Sequence, residues 1–203
     1  MWCVSDTLEA ELISTIIIAC SMLALVAAAI FAKKVVSIPI EGESEEKVKK
    51  FTEISDAIAE GAMAFLTREY KVVAVFCVAF AAIMVFTLNH EGTGINEGIF
   101  TAVSFLIGAF ISSLCAFLGM KIAVMGNVRT TISARDSISA AFRVAFNSGA
   151  VMGFALTGLA VLGMFLMIEI FGNFITDPVL LMEMVAGFGL GGSSVALFGR
   201  VGG

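Results

Sequence analysis

Charge is what this sequence has least of. Asp, Glu, Lys and Arg make up 14% of its 203 residues and hydrophobic residues 59%, where soluble domains carry about 25% and about 45–50%. The mean hydropathy is +1.02, so the apolar excess must face lipid instead of water. Twelve basic residues stand against seventeen acidic ones, a net charge of −5. That balance excludes a nucleic-acid partner, which needs a basic surface. One Trp, one Tyr and two Pro leave little material for a secreted all-β or repeat architecture. His90 is the only histidine; it reads as an exposed loop residue, and no His-based metal site or triad can be assembled. Of four cysteines, Cys20, Cys77 and Cys115 fall in apolar runs and Cys3 lies near the N-terminus. None is spaced as C-x-x-C or joined to histidine, so they read as small buried hydrophobes.

What is present in quantity is apolar sequence in long runs. Five of them, approximately 12–32, 66–88, 99–120, 144–171 and 178–200, are long enough to cross a hydrocarbon core, which takes about 20 helical residues. The first is not a cleavable signal peptide, because Asp6, Glu9 and Glu11 precede it instead of a basic region. The expected fold is all-α and polytopic, with five transmembrane helices.

The basic residues give the orientation. Seven, from Lys33 to Lys71, lie between run one and the apolar stretch of run two that starts at Val72, and four, from Lys121 to Arg143, between runs three and four; Arg200 closes run five. The N-terminal segment and the loops near His90–Glu97 and Gly172–Asp177 have none. The positive-inside rule therefore predicts the N-terminus outside, the C-terminus in the cytoplasm and cytoplasmic loops at 33–65 and 121–143. Between Glu45 and Lys71, the residues Val48, Phe51, Ile58, Ala62 and Phe65 recur at helical spacings. They predict an amphipathic helix that runs into span two, with Tyr70 and Lys71 at the interface.

Small residues recur four apart in the later spans: Gly108-x-x-x-Ser112-x-x-x-Ala116, Gly149-x-x-x-Gly153-x-x-x-Thr157 and Gly187-x-x-x-Gly191. Such faces let helix backbones approach in lipid and predict a bundle larger than a lone anchor. The string Gly187-Phe-Gly-Leu-Gly-Gly-Ser-Ser194 is not a dinucleotide fingerprint, because no strand precedes it. Ser193 and Ser194 either line a polar path or bond back to their own helix. Glu169 and Glu183 read as tolerated carboxylates near the outer interface. Spacing alone leaves Arg200 open between a snorkelling interface residue and a bundle-facing charge. The run Glu41, Glu43, Glu45, Glu46 reads as a solvated loop. No set of carboxylates converges as a Mg²⁺–phosphate site requires, so neither a catalytic nor a metal-binding residue is assigned within these 203 residues.

The stretch Gly187–Gly203 closely resembles the fifth helix of membrane-bound, ion-translocating inorganic pyrophosphatases. Phe65-Leu-Thr-Arg-Glu-Tyr-Lys71, Asn127-Val-Arg-Thr-Thr131 with Ala134-Arg135, and Ser148-Gly-Ala-Val-Met-Gly-Phe154 agree with the same family in order. The resemblance implies a homodimer whose subunits hold about sixteen helices in two rings, hydrolyse diphosphate with Mg²⁺ on the cytoplasmic side and drive H⁺ or Na⁺ outward. The membrane would be a plasma membrane or that of an acidic organelle such as a vacuole. It also implies that Arg200 lines the passage between the hydrolytic centre and the ion gate, with Ser193 and Ser194 as candidate pore lining. In the family this helix continues into a lysine- and aspartate-rich stretch that holds Mg-diphosphate, and these 203 residues stop before it. The expectation is therefore an N-terminal portion of a primary pump, inactive on its own. A non-catalytic accessory or degenerate helix bundle is the alternative.

Overall fold

The computed structural model describes residues 2–40, 45–88 and 97–202, with side chains from residue 10 onward. His90, Glu41 and Glu43 lie outside the described residues, and Cys3 is described only by its backbone. Five helices account for nearly all of it: α1 (Trp2–Val36), α2 (Glu45–Thr87), α3 (Glu97–Asp136), α4 (Ile138–Gly172) and α5 (Pro178–Gly202). Each contains a window long and apolar enough to cross a membrane. The chain is an all-α polytopic membrane protein.

The helices run well past the lipid-length windows. At 1.5 Å per residue, the 43 residues of α2 reach about 65 Å, twice the roughly 30 Å of a hydrocarbon core. Residues 45–71 are helical and run unbroken into span two, as their amphipathic spacing predicts, and most of 121–143, expected as a loop, is helix as well. Hydropathy marks where a helix leaves lipid, not where it ends, and neither segment carries a helix-breaking proline beyond Pro39. Between α3 and α4 only Ser137 breaks the run. Its backbone is extended (φ −166°, ψ 153°) and its Oγ accepts from the Ala140 N–H at 3.1 Å, a helix N-cap. Asp177 starts α5 in the same way, Oδ1 accepting from the Val179 N–H at 3.0 Å, with Pro178 at the first helical position, where its missing N–H costs nothing.

All the basic residues fall at the end of the bundle where α1, α3 and α5 finish and α2 and α4 begin; it is called the basic end below. There α2 packs on α3 near Ala59, Ala62 and Leu66, and the face of α2 formed by Val48, Phe51, Ser55, Ala59, Ala62 and Leu66 is at least half-buried throughout. Ile58 was expected on that face but lies one position off it and is exposed.

α3 is the central helix, with buried residues from Glu97 to Val128. Glycines let α5 lie against it. A Cβ on Gly187 would come within 2.6 Å of the Thr101 carbonyl, one on Gly191 would overlap the Phe105 carbonyl, and one on Gly108 the Phe188 carbonyl. Ser112 Oγ donates to the Gly192 carbonyl across the same seam at 3.2 Å. On the opposite side, Gly119 receives Met152 and Gly126 receives Ser148 of α4. α1 is peripheral and packs on α4 through the stacked rings of Phe31 and Phe154, 5.8 Å apart. Its narrow buried face holds Ser21, Ala28 and Val35. Cys77 and Cys115 are buried as expected; Cys20, expected to be buried with them, is exposed on the free side of α1.

Candidate functional site

Arg200 sits in the last turn of α5, about 33 Å along the helix from Pro178. It is exposed and makes no hydrogen bond or ion pair among the described residues. Leu190, Ser193 and Leu197 share its face at helical spacing, and all are exposed. The opposite face, through Met184, Gly187, Gly191 and Val195, is buried against α2 and α3. Arg200 and Ser193 therefore lie on one unpartnered stripe of α5. Ser194 stands off that stripe and donates its Oγ–H to the Leu190 carbonyl at 2.8 Å. The structure thus separates two serines that adjacency had grouped.

Beside Arg200, α5 touches α2. A Cβ on Gly199 would lie 3.2 Å from Glu69 Oε1, and the Phe198 ring packs 4.9 Å from that of Phe76. Glu69 is half-buried and forms no hydrogen bond or ion pair among the described residues. In the sequence this carboxylate stands out only within the family string Phe65–Lys71, flanked by Arg68 and Tyr70. Its neighbour Tyr70 donates its hydroxyl to the Ser113 carbonyl at 2.6 Å, which ties α2 to α3 at this level.

Arg129 is a basic side chain with three defined backbone partners. Its Nε donates to the Ile38 carbonyl at 3.0 Å, Nη2 to Val36 at 3.2 Å and Nη1 to Met125 of its own helix at 2.9 Å. Val36 ends α1, so a guanidinium from α3 satisfies carbonyls at the negative end of that helix dipole. No spacing in the sequence signals this, because the partners are backbone atoms some ninety positions away.

The remaining candidates are dispersed. Glu169 and Glu183 are exposed near the end opposite the basic one. Glu45 and Glu46 open α2 in solvent, with Glu46 paired to Lys50 at 3.4 Å. Among the described residues, no group of three His, Cys, Asp or Glu side chains converges as a metal would need. Glu69 is a single carboxylate on a helix face that also carries basic residues, so the residues present do not fit a Mg²⁺–diphosphate centre, which takes several oxygen ligands.

The sequence matches the family described as inorganic H+ pyrophosphatase over residues 22–203. Among curated proteins, it is 35% identical over 182 residues to a "K(+)-insensitive pyrophosphate-energized proton pump" of Methanosarcina mazei, covering 90% of this chain and 24% of that protein. A protein of the same name from Caldanaerobacter subterraneus subsp. tengcongensis is 39% identical over 166 residues, 76% of this chain and 23% of the relative. A "Putative K(+)-stimulated pyrophosphate-energized sodium pump" of Clostridium tetani is 41% identical over 184 residues, 90% of this chain and 24% of the relative. The chain spans about a quarter of the length of these relatives. With the match running from α1 through the glycine-rich α5, the chain belongs to the inorganic H+ pyrophosphatase family.

Proposed function

We propose that this chain is the N-terminal portion of a membrane pump that couples diphosphate hydrolysis to the movement of H⁺ or Na⁺. The observation that carries the reading is the family match over residues 22–203, which includes all of α2 to α5 and ends on the helix bearing Arg200. The relatives' printed names, proton and sodium pumps energised by pyrophosphate, supply the activity. Both kinds match at similar identity, so the reading covers either ion.

In this reading the basic end faces the cytoplasm, the full protein is a homodimer, and its Mg²⁺ ligands lie in parts of the pump beyond these 203 residues. Bound there, Mg²⁺ would neutralise the diphosphate and polarise the bond to be cleaved. The chain's own contribution is α5. A guanidinium stays protonated under essentially all conditions, so Arg200 cannot carry a proton. It acts instead as a fixed positive charge on the open stripe of α5. Pairing it with carboxylates of neighbouring helices lowers their proton affinity, and separating it raises that affinity, which sets when an ion is released. Ser193, two turns deeper on the same stripe, offers a hydroxyl to the ion path.

The test uses the full-length pump in sealed vesicles, with phosphate release and ion uptake measured on the same membranes. Arg200→Ala and Arg200→Lys should both lower ion uptake more than hydrolysis, because lysine keeps the charge but loses the planar fork. An Arg200→Ala pump with unaltered uptake would reduce Arg200 to a snorkelling interface residue.

A further inference from the structure

Open faces remain on several of the described helices, and one of them carries charge. On α4, a Cβ on Gly149 or on Gly153 would meet nothing within 4 Å, but a row of small residues does not say what covers it. The seam between α2 and α3 is different. Tyr70 bonds Ser113 across it, and beside that tie it opens into a groove of about 470 Å³. Cys77 and Ala109 form the floor, and Ala74, Val78, Phe110 and Leu114 the exposed rims. Two lysines stand where the groove nears the basic end. α2 starts at that end and α3 finishes there, and helical side chains lean toward their own N-terminus. Lys71 of α2 therefore leans toward the basic end and Lys121 of α3 away from it, so the two approach one level. Lys121 Nζ lies 5.1 Å from the centre of the Phe117 ring, and Phe117 is part of the groove wall. Lys71 precedes Ala74 and Val78 at helical spacing, on the flank of α2 that also holds Met63 and Thr67. Met63 and Lys121 share a small cavity across the seam. Both lysines are exposed, and neither forms an ion pair among the described residues. The acidic residue of that flank, Glu60, is about 16 Å along the helix from Lys71.

We propose that this seam binds an anionic phospholipid, with one acyl chain in the groove and the phosphate between Lys71 and Lys121. Charge decides the occupant. Basic side chains at the interfacial end of a groove between membrane helices are what hold acidic headgroups, and a hydrocarbon tail by itself gives two lysines no counter-charge. The four-carbon stems of both lysines extend the apolar walls while their ammonium groups stay at headgroup level. A zwitterionic lipid brings its own cation to the same place, so it gains less from the pair. The bound lipid bridges α2 and α3 beside the Tyr70–Ser113 bond.

The experiment uses the full-length protein, purified from nanodiscs of phosphatidylcholine with a minor fraction of phosphatidylglycerol, and counts retained lipids by native mass spectrometry. The unsubstituted protein should retain phosphatidylglycerol in preference to phosphatidylcholine. Lys71→Gln with Lys121→Gln should weaken that binding about 30-fold, roughly fivefold for each lysine. Lys71→Arg with Lys121→Arg should preserve it. Lys33→Gln with Lys34→Gln removes the same charge from α1, which packs on α4 away from the seam, and should change nothing. Ala74→Trp fills the groove from its exposed rim and should expel the lipid with both lysines in place. Phosphatidylglycerol that survives either the double Gln substitution or Ala74→Trp overturns the proposal, as does equal loss in the α1 control. Equal retention of phosphatidylcholine overturns it too, and so does an unsubstituted protein that keeps neither lipid. Glycerol 3-phosphate, which has no acyl chain, should not compete; displacement by it would give the lysines to a soluble phosphate ester and overturn the lipid assignment.

Discussion

Gly191→Ala, set against Gly189→Ala, isolates the packing of α3 on α5. Both substitutions sit mid-helix, and both gain about 1 kcal/mol of helix propensity. They differ in what the new methyl meets. At Gly189 there is nothing within 4 Å; at Gly191 the methyl overlaps the Phe105 carbonyl and approaches the Ala109 amide nitrogen at 2.9 Å. Those contacts are backbone, so no rotamer change relieves them, and the two helices must part by about an ångström. Overpacking of this kind costs about 1–3 kcal/mol. Separation also lengthens the 3.2 Å bond from Ser112 to Gly192 and thins the packing of Phe188. At about 2–4 °C per kcal/mol for a chain of this size, Gly191→Ala should melt several degrees below Gly189→Ala. The reporters are built in: Cys77 and Cys115 are buried, so a thiol-reactive dye follows their exposure on heating in a Cys3→Ser, Cys20→Ser background. If Gly191→Ala melts with or above Gly189→Ala, the α3–α5 seam is not where the structure puts it.

Arg129→Gln should destabilise by about 1–3 kcal/mol by leaving the Val36 and Ile38 carbonyls without their charged donor, read as faster amide hydrogen exchange through residues 33–40 than elsewhere in the chain; uniform exchange would assign Arg129 no local role. Tyr70→Phe, which deletes one bond to Ser113, should cost about 1 kcal/mol in the same dye assay, and an unchanged midpoint would contradict the tie between α2 and α3. In a cysteine-free background, Asn173→Cys should react with an impermeant external thiol reagent and Ala134→Cys only after permeabilisation; the reverse pattern would invert the orientation. The 203-residue chain alone should insert into membranes, because each helix satisfies its own backbone, yet release no phosphate from Mg-diphosphate above a mock preparation.

Much of this architecture can be read from residue patterns, and the parts that cannot share a cause. Hydropathy runs and the sidedness of twelve basic residues report transfer from water to lipid, a property of each segment by itself, so five helices and a basic end follow directly. Helix ends at Asp136 and Ile138 do not, because a polar helix in water and a loop have similar hydropathy. The small-residue motifs of α3, α4 and α5 look alike as strings, but only contact geometry shows that Gly108 and Gly191 are engaged while Gly149 is open. Ser193 and Ser194 are neighbours in sequence and a hundred degrees apart on the helix, and Ser194 turns to its own backbone. Arg129 and Glu69 are visible only as parts of family strings. Their settings depend on carbonyls and glycines of other helices, which no local pattern encodes.

The central claim is tested most directly by adding Mg-diphosphate to sealed, inside-out vesicles that contain the full-length protein. Phosphate release should be accompanied by accumulation of H⁺ or Na⁺ in the vesicle lumen that an ionophore for that ion abolishes while hydrolysis continues. Hydrolysis with no ion gradient of either kind, or no hydrolysis by a fully inserted protein, would contradict the account.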